Sequence, residues 1–449
     1  MKSSNDDMKK TETIEEKLYK KLLAHCNETL EIKKDDYFKT NSGNQYFDFV
    51  IYKDEFPFAI IEHKTNIYRA IDNGSSKRKF VSMTKEINAR YCVVTDNKNF
   101  YLYDRYEHLK QFVRTSCKEL IDKINNPKDK IATETEKEQI VEIFKNAVSG
   151  KLCDEFINNP TLKENIVFDN IDRVFCFKSH SGLESIFFEK LMNQYDFKPI
   201  YKYTSLRDLF SILSKKSFRM SAIAGMNDKS EIDYVESYLG FADSSTDRHS
   251  TSRISEINRC FIMAGVDETK FDDLTLWRLY GDDCKGACLE FEIDSQNIDN
   301  SFKVKRVDYA DKRGQHKKLD ILKEIIYEVD NQFGFKFKFK QLWAHRSFFK
   351  PFDYADENEI RVLYMLNESN DKNEDIKLEW VSTFSHSIFI PTVNFNLMCE
   401  NFPLKLKRII IGPNCPEQKT NLFQIREMLR QIGLSEHIKV ILSEIDSYR

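Results

Sequence analysis

Two short apolar runs give the chain its clearest local pattern. Phe47-Asp48-Phe49-Val50-Ile51-Tyr52 and Phe58-Ala59-Ile60-Ile61 are separated by Lys53-Asp54-Glu55-Phe56-Pro57, a polar patch closed by proline, and together they read as a β-hairpin. The second run ends in Glu62-His63-Lys64. Side chains two apart on a strand share a face, so Glu62 and Lys64 stand side by side and Asp48 enters from the neighbouring strand. Upstream, Ile14, Leu18 and Leu22 recur at helical spacing and predict an amphipathic helix over 11–25, with Glu15 on the same face. Downstream, residues 65–79 are polar, with a loop at Asn73-Gly74-Ser75-Ser76. A short helix over 80–88, a strand at Tyr91–Thr95, a turn at Asp96–Asn99 and a strand at Phe100–Tyr103 follow. Strands joined by a crossover helix indicate an α/β core.

From 111 to 197 the pattern turns helical and rich in lysine and glutamate, with periodic Leu120, Ile121 and Ile124, then Ile140, Val141, Ile143 and Phe144. This stretch reads as a helical connector. Beyond it, apolar runs return in four blocks. Ile200-Tyr201-Lys202-Tyr203-Thr204-Ser205 precedes a helix through Leu206, Leu209, Phe210 and Leu213. Phe218-Arg219-Met220-Ser221 leads into Gly225-Met226-Asn227-Asp228-Lys229-Ser230-Glu231. Leu276–Gly281 leads to Lys285-Gly286 and Ala287–Phe291. Glu357-Asn358-Glu359-Ile360-Arg361-Val362 is followed by a closing Ile409-Ile410-Ile411-Gly412 strand. Separately, Phe333-Gly334-Phe335-Lys336-Phe337-Lys338-Phe339-Lys340 alternates strictly. As a strand it has a phenylalanine face and a lysine face. It is either a phosphate-tracking surface with rings available for base stacking, or an edge strand whose lysines discourage further pairing.

The hairpin end carries the most specific chemistry. Asp48, Glu62 and the backbone carbonyl of His63 offer hard oxygen ligands suited to Mg²⁺ or Mn²⁺. Lys64 beside them can orient or help deprotonate a water and stabilise charge growing on a phosphate. Glu15 is the helix-borne candidate to assist, with Glu16 as the fallback. Lys77, Arg78 and Lys79 are either phosphate contacts or a solvated helix start. The plainer reading of the whole set is a hairpin ending in a surface Glu–Lys pair.

Asp48, then 13 residues, then Glu62-x-Lys64, flanked by apolar strands, resembles the PD-(D/E)XK nuclease superfamily, in particular the N-terminal nuclease domain of type I restriction-enzyme R subunits. No proline precedes Asp48. The glutamine that often follows the lysine in restriction relatives is missing, and Lys77-Arg78-Lys79 lies near that point. The resemblance implies a restriction-endonuclease-like fold over 11–110 and a Mg²⁺-dependent endonuclease acting on DNA or RNA. In that picture Asp48, Glu62 and the His63 carbonyl hold metal, Lys64 positions water and Glu15 assists.

The later blocks follow the order Y-x-Y-x-S, N-D-x-x-E, W-x-x-Y-G-x-x-x-K-G, E-x-E-x-R and I-x-x-G. They resemble the bacterial domain of unknown function numbered 2971, placing an α+β domain over 198–449. Their layout is also similar to that of ADP-ribosyltransferases. That likeness implies NAD held near Tyr203, Tyr280, Glu357 and Glu359, with Tyr203 standing where His or Arg is usual. The alternative is that Tyr203, Trp277 and Tyr280 are core aromatics with satisfied hydroxyls and Asn227-Asp228 a turn.

Composition narrows these readings. A chain of 449 residues supports two or three domains. A net charge of −3 and a pI near 6.4 give no global basic field, so a nucleic-acid surface would be local. The ten cysteines include no C-x-x-C pair. With no secretory pattern and no membrane-spanning run, the expectation is a reduced, cytoplasmic protein without a membrane partner. The polar stretch Met1–Lys10 reads as frayed. No P-loop, H-E-x-x-H, Rossmann glycine fingerprint or G-x-S-x-G is present, so no ATP-driven motor is expected here. A nuclease without a motor fits an anti-phage effector whose C-terminal domain senses a protein partner or small-molecule activator, and nucleases of this fold often act as homo-oligomers. Two other classes stay open. One is an NAD-consuming C-terminal domain with an N-terminal nucleic-acid binder; the other is a non-enzymatic binding module.

Overall fold

In the computed structural model the described residues are 14–446, apart from 41–42, 54, 73, 108–110, 149–153, 180, 193–194, 226–229, 241–257, 299–300, 367–375, 384–387 and 400–401. The fold is mixed α/β, in two compact units. Among the described residues, the first takes those from 14 to 183 and, from far along the chain, 323–339; the second takes the remainder.

The first unit is built on a six-stranded sheet. Its strands are β1 (Leu30–Thr40), β2 (Gly43–Lys53), β3 (Phe56–His63), β4 (Tyr91–Thr95), β5 (Phe100–Asp104) and β6 (Val113–Thr115), in spatial order 1-2-3-4-5-6. Only β3 and β4 run parallel. A parallel pair requires a crossover, and helices α2 (Ile67–Asp72) and α3 (Gly74–Glu86) supply it. The continuous apolar run of β3 is buried on both faces, with Ala59, Ile60 and Ile61 inaccessible to solvent. On one face α1 (Ile14–His25) and α4 (Cys117–Asn125) pack Leu18, Leu22, Leu120 and Ile124 against Phe49, Ile51, Ala59 and Ile61. On the other, Ile67, Phe80 and Met83 cover Val50, Ile60, Cys92 and Val94.

Several expectations shift. Gly74-Ser75-Ser76 opens α3 instead of forming a loop. Strand β1 is not announced by the apolar pattern, because Asp35-Asp36 interrupts it. Asp35 adopts a left-handed backbone (φ 51°), which aspartate tolerates better than most residues. The predicted helix start at 11–13 and the polar stretch Met1–Lys10 lie outside the described residues. The expected connector is not purely helical. After β6 and α4 come α5 (Glu134–Val148), α6 (Asp154–Ile157) and a hairpin of β7 (Ile166–Asp169) and β8 (Val174–Phe177).

The alternating segment packs into this same unit as far as Phe339. Its first residue, Phe333, ends the helix Lys317–Phe333. The residues after Gly334 are extended but join no sheet: a single bridge links Phe337 to Phe175, with Phe175 N donating to the Lys336 carbonyl and Lys338 N to the Phe175 carbonyl. Phe335, Phe337 and Phe339 are buried, edge-on to Phe144, Phe168 and Phe177. The rings are therefore core, so neither alternative read from the alternation holds: the rings are not available for base stacking, and the segment is not an edge strand of a sheet. The buried Arg105 fixes the entry to the segment, donating at 2.8 Å to the Gly334 carbonyl and lying over the Phe335 ring. Burial pushes its pKa down to about 10.

The second unit holds a ten-stranded sheet: β9 (Ile200–Thr204), β10 (Ser217–Ala222), β11 (Cys260–Val266), β12 (Ala287–Ile293), β13 (Phe302–Arg306), β16 (Glu359–Met365), β17 (Ile376–Thr383), β18 (Ile388–Asn396), β19 (Leu404–Ile411) and β20 (Lys439–Leu442). Two-residue strands β14 (Asp308–Tyr309) and β15 (Phe349–Lys350) form a separate parallel pair. The main path is 17-18-10-11-9-12-19-20, with β16 on β11 and β13 on β16. Ser205 caps the helix Leu206–Lys215 by accepting from Asp208 N, which accounts for the serine after the Tyr strand. The glycines of the W-x-x-Y-G-x-x-x-K-G stretch have a steric cause. A Cβ on Gly281 would collide with the Trp277 ring, and one on Gly286 with the Thr204 carbonyl. The described cysteines are free, and among the described residues no helix is long and apolar enough to cross a membrane.

Candidate functional site

Asp48, Glu62 and Lys64 come together where β2 and β3 part. The β2–β3 ladder ends at Phe49 opposite Ile61. One step further, Asp48 Oδ2 accepts the backbone N–H of His63 at 2.6 Å, a charge-assisted bond of the stronger kind. On the other edge of β3, Lys64 N donates to the Thr95 carbonyl at 2.8 Å and extends the parallel pairing with β4. The strand end is thus held from both sides. Lys64 Nζ lies 2.5 Å from Glu62 Oε2.

Glu62 is only 5% exposed, whereas the Lys64 side chain is 41% exposed, so the pair joins a buried carboxylate to a half-exposed ammonium. Burial pushes the Glu62 carboxyl up, and Asp48 adds to this, against the pull of Lys64 and Lys79. Burial works against the Lys64 ammonium, but Glu62, Asp48 and Glu15 outweigh it and raise its pKa. Lys64 is therefore a charged ammonium at neutral pH, suited to electrostatic stabilisation and not to general-base chemistry. Glu15 acts on Lys64 from α1 and pairs with Lys34 of β1 at 4.0 Å. Lys79, from the run placed near the missing glutamine, reaches Glu62 electrostatically, while Arg78 bonds the Gly74 carbonyl.

Among the described residues no group of three or more His, Cys, Asp and Glu side chains is placed to hold a metal. The donor set here is two carboxylates. Each has a second oxygen beyond the one bonded to His63 N or Lys64, and burial, with Asp48, raises the Glu62 pKa. Hard oxygens and an electrostatic demand for positive charge fit a divalent cation that keeps waters and substrate oxygens as its remaining ligands.

The second unit gathers a different set. Lys350 Nζ contacts Glu231, Glu357 and Glu359 at 3.1, 2.8 and 2.9 Å. Arg361 bonds Glu359 and Glu231, each at 2.7 Å, and the Ser347 carbonyl. Tyr280 donates to Glu357 at 2.5 Å, and Tyr309 accepts from Glu359 N. Burial opposes the charges, but Arg361 and Lys350 hold Glu359 below the usual carboxylate range. Three carboxylates against two cations, nearly all buried, make an ion-pair network.

This geometry revises the second set of sequence candidates. Glu357 and Glu359 do not share a strand face. Glu357 ends a 3₁₀ turn, Asn358 is left-handed (φ 46°), and the strand begins at Glu359; the two meet only through Lys350. Tyr203 stands apart from this network. Its hydroxyl donates to the Lys270 carbonyl and accepts from Asp273 N, and its ring meets Trp277 edge-on, so it is a satisfied core aromatic. Asn227-Asp228 lies outside the described residues. Lys350 was not singled out in the sequence, and no spacing signal links it to Glu231.

No curated protein and no solved structure matches the chain. Residues 276–362, the stretch carrying Trp277, Tyr280, Lys350, Glu357, Glu359 and Arg361, match the family model described as protein of unknown function DUF2971.

Proposed function

We propose that the first unit is a metal-dependent phosphodiesterase of the PD-(D/E)XK kind, acting on DNA or RNA. The observation that carries this reading is the convergence of Asp48, a buried Glu62 and a protonated Lys64 at one strand end. Asp48 and Glu62, with the His63 carbonyl, would hold Mg²⁺ or Mn²⁺. The cation supplies Lewis-acid polarisation of the phosphate and a more acidic water. Lys64 lies against Glu62 and stabilises negative charge developing on the phosphoryl oxygens. Glu62 and Asp48, with a smaller contribution from Glu15, favour the Lys64 ammonium, and Lys79 adds positive potential for an anionic substrate. In this reading the second unit is a sensing or specificity module, and the chain acts as an anti-phage effector.

The test is cleavage of supercoiled plasmid, single-stranded DNA and RNA with Mg²⁺ or Mn²⁺. Glu62→Ala and Lys64→Ala should each lower cleavage by about a hundredfold or more. Variants that cut as well as the wild type would sink the proposal.

A second reading puts NAD turnover in the second unit, favoured by the meeting of Tyr280, Glu357 and Glu359 within the matched stretch. Against it, Lys350 and Arg361 already engage the carboxylates. NAD consumption abolished by Glu359→Gln, with Glu62→Ala unaffected, would favour it.

A further inference from the structure

Strands β1 and β2 run past the sheet that they belong to. Their ladder continues to Thr40 opposite Gly43, whereas β2 leaves β3 at Phe49. Residues 36–40 and 43–47 thus form a two-stranded ribbon, rooted at Asp48. The ribbon has two unlike faces. Phe38 meets Phe47 edge-on, and Phe47 is buried in the core under α2 and α3. Tyr37 and Tyr46, directly paired across the strands, stack with ring centroids 5.5 Å apart at 29° and are 51% and 67% exposed.

Two large rings held together in water are costly to leave uncovered and offer a flat, preformed platform. Tyr46 precedes Asp48 by two residues on the same strand. A third exposed tyrosine, Tyr68, follows Lys64 by four residues on α2. Lys34 of β1 faces Glu15 at 4.0 Å, and Lys33 lies on the Phe38–Phe47 face, above the Tyr52 ring and 3.7 Å from Glu31. Aromatic platforms bind unpaired bases, whose π-faces are hidden in a duplex. The chain carries no broad basic field of the sort that tracks a duplex backbone.

We propose that this ribbon is the substrate arm of the site and that the substrate is a single-stranded nucleic acid, stacked on Tyr37 and Tyr46 with its phosphates leading to Asp48, Glu62 and Lys64. The inference rests on the phosphodiesterase reading for its direction along the strand, but not for the stacking itself.

The experiment is fluorescence anisotropy of the full chain in EDTA with labelled oligothymidylate, oligouridylate and a blunt DNA duplex. Wild type should bind single strands more tightly than the duplex, and the two single-stranded arms decide between DNA and RNA. Tyr37→Ala/Tyr46→Ala should weaken single-strand binding about five- to a hundredfold, while Tyr37→Phe/Tyr46→Phe keeps it. Photocrosslinking of an iodouridine-substituted strand to wild type should map to Tyr37 or Tyr46, which tests the platform without any variant. Equal binding by the alanine variant, preference for duplex, or no binding to any probe overturns the proposal. Cleavage that survives with binding indifferent to the tyrosines overturns the arm and leaves the hydrolase reading. Tyrosine-dependent binding without metal-dependent cleavage does the reverse.

Discussion

Glu62 shows what a single side chain can hold in tension. Its folded-state pKa is raised by burial above the value in the unfolded chain. A raised carboxyl binds its proton more tightly when folded, so ionising it costs stability at pH values above the unfolded pKa, and the cost disappears below that value. Glu62→Gln should therefore shift the urea midpoint upward at pH 8, and leave it unchanged near pH 4, where both side chains are neutral. The same substitution removes the proposed metal ligand, so a more stable and inactive variant is expected. Equal midpoints at pH 8 would refute the burial argument. Asp48, Glu62 and Lys64 were legible in the sequence because strand geometry places residues two apart on one face and hairpin neighbours beside each other. Lys350 and Glu231 were not. They are 119 residues apart, and only the fold of the second unit joins them. Tyr203 left two readings open because a strand-end tyrosine looks alike whether its hydroxyl faces a ligand or the Lys270 carbonyl, and the structure realises the core alternative.

At the scale of elements, periodicity located β2 to β5 and the helices α1, α4 and α5 but missed β1, β6 and the β7–β8 hairpin, and it located faces better than partners. The segment 333–340 alternates as a strand must, and its phenylalanines do point one way. What they point at is a cluster built from Phe144, Phe168, Phe175 and Phe177, more than 150 residues earlier in sequence, which no local pattern records. Phe337 is inaccessible to solvent and touches Phe144, Phe177 and Phe339. Phe337→Ala should lower the unfolding free energy by about 3–5 kcal/mol, read by urea denaturation. A loss under about 1 kcal/mol, typical of surface substitutions, would mean that the ring is not core. Strand β1 escaped notice for the opposite reason. Its aspartate pair breaks the alternation, and the left-handed Asp35 accommodates the break between the Lys34–Phe49 and Asp36–Phe47 pairs, opposite Asp48.

At the scale of the whole molecule, sequence order and compact units disagree. Composition shifts suggested boundaries near 110 and 197, but compactness follows burial, and residues 323–339 return to the unit that begins the chain. A fragment ending at Leu183 would leave Phe144, Phe175 and Phe177 without Phe335, Phe337 and Phe339. Such a fragment should aggregate or lack near-ultraviolet circular dichroism, whereas appending residues 323–339 through a flexible linker should restore a monomeric, cooperatively unfolding species. A well-folded 1–183 fragment would refute this. The returning segment also sets a schedule for synthesis. Nascent domains fold as they leave the ribosome, at about 5–20 residues per second, so roughly eight to thirty seconds separate the emergence of Leu183 from that of Phe339. Throughout that interval the first unit is an unfinished body with an open aromatic groove, a natural client for chaperones. The residues of its proposed hydrolytic centre, all before Leu183, would by then have been waiting for the segment that closes the aromatic cluster of their own unit.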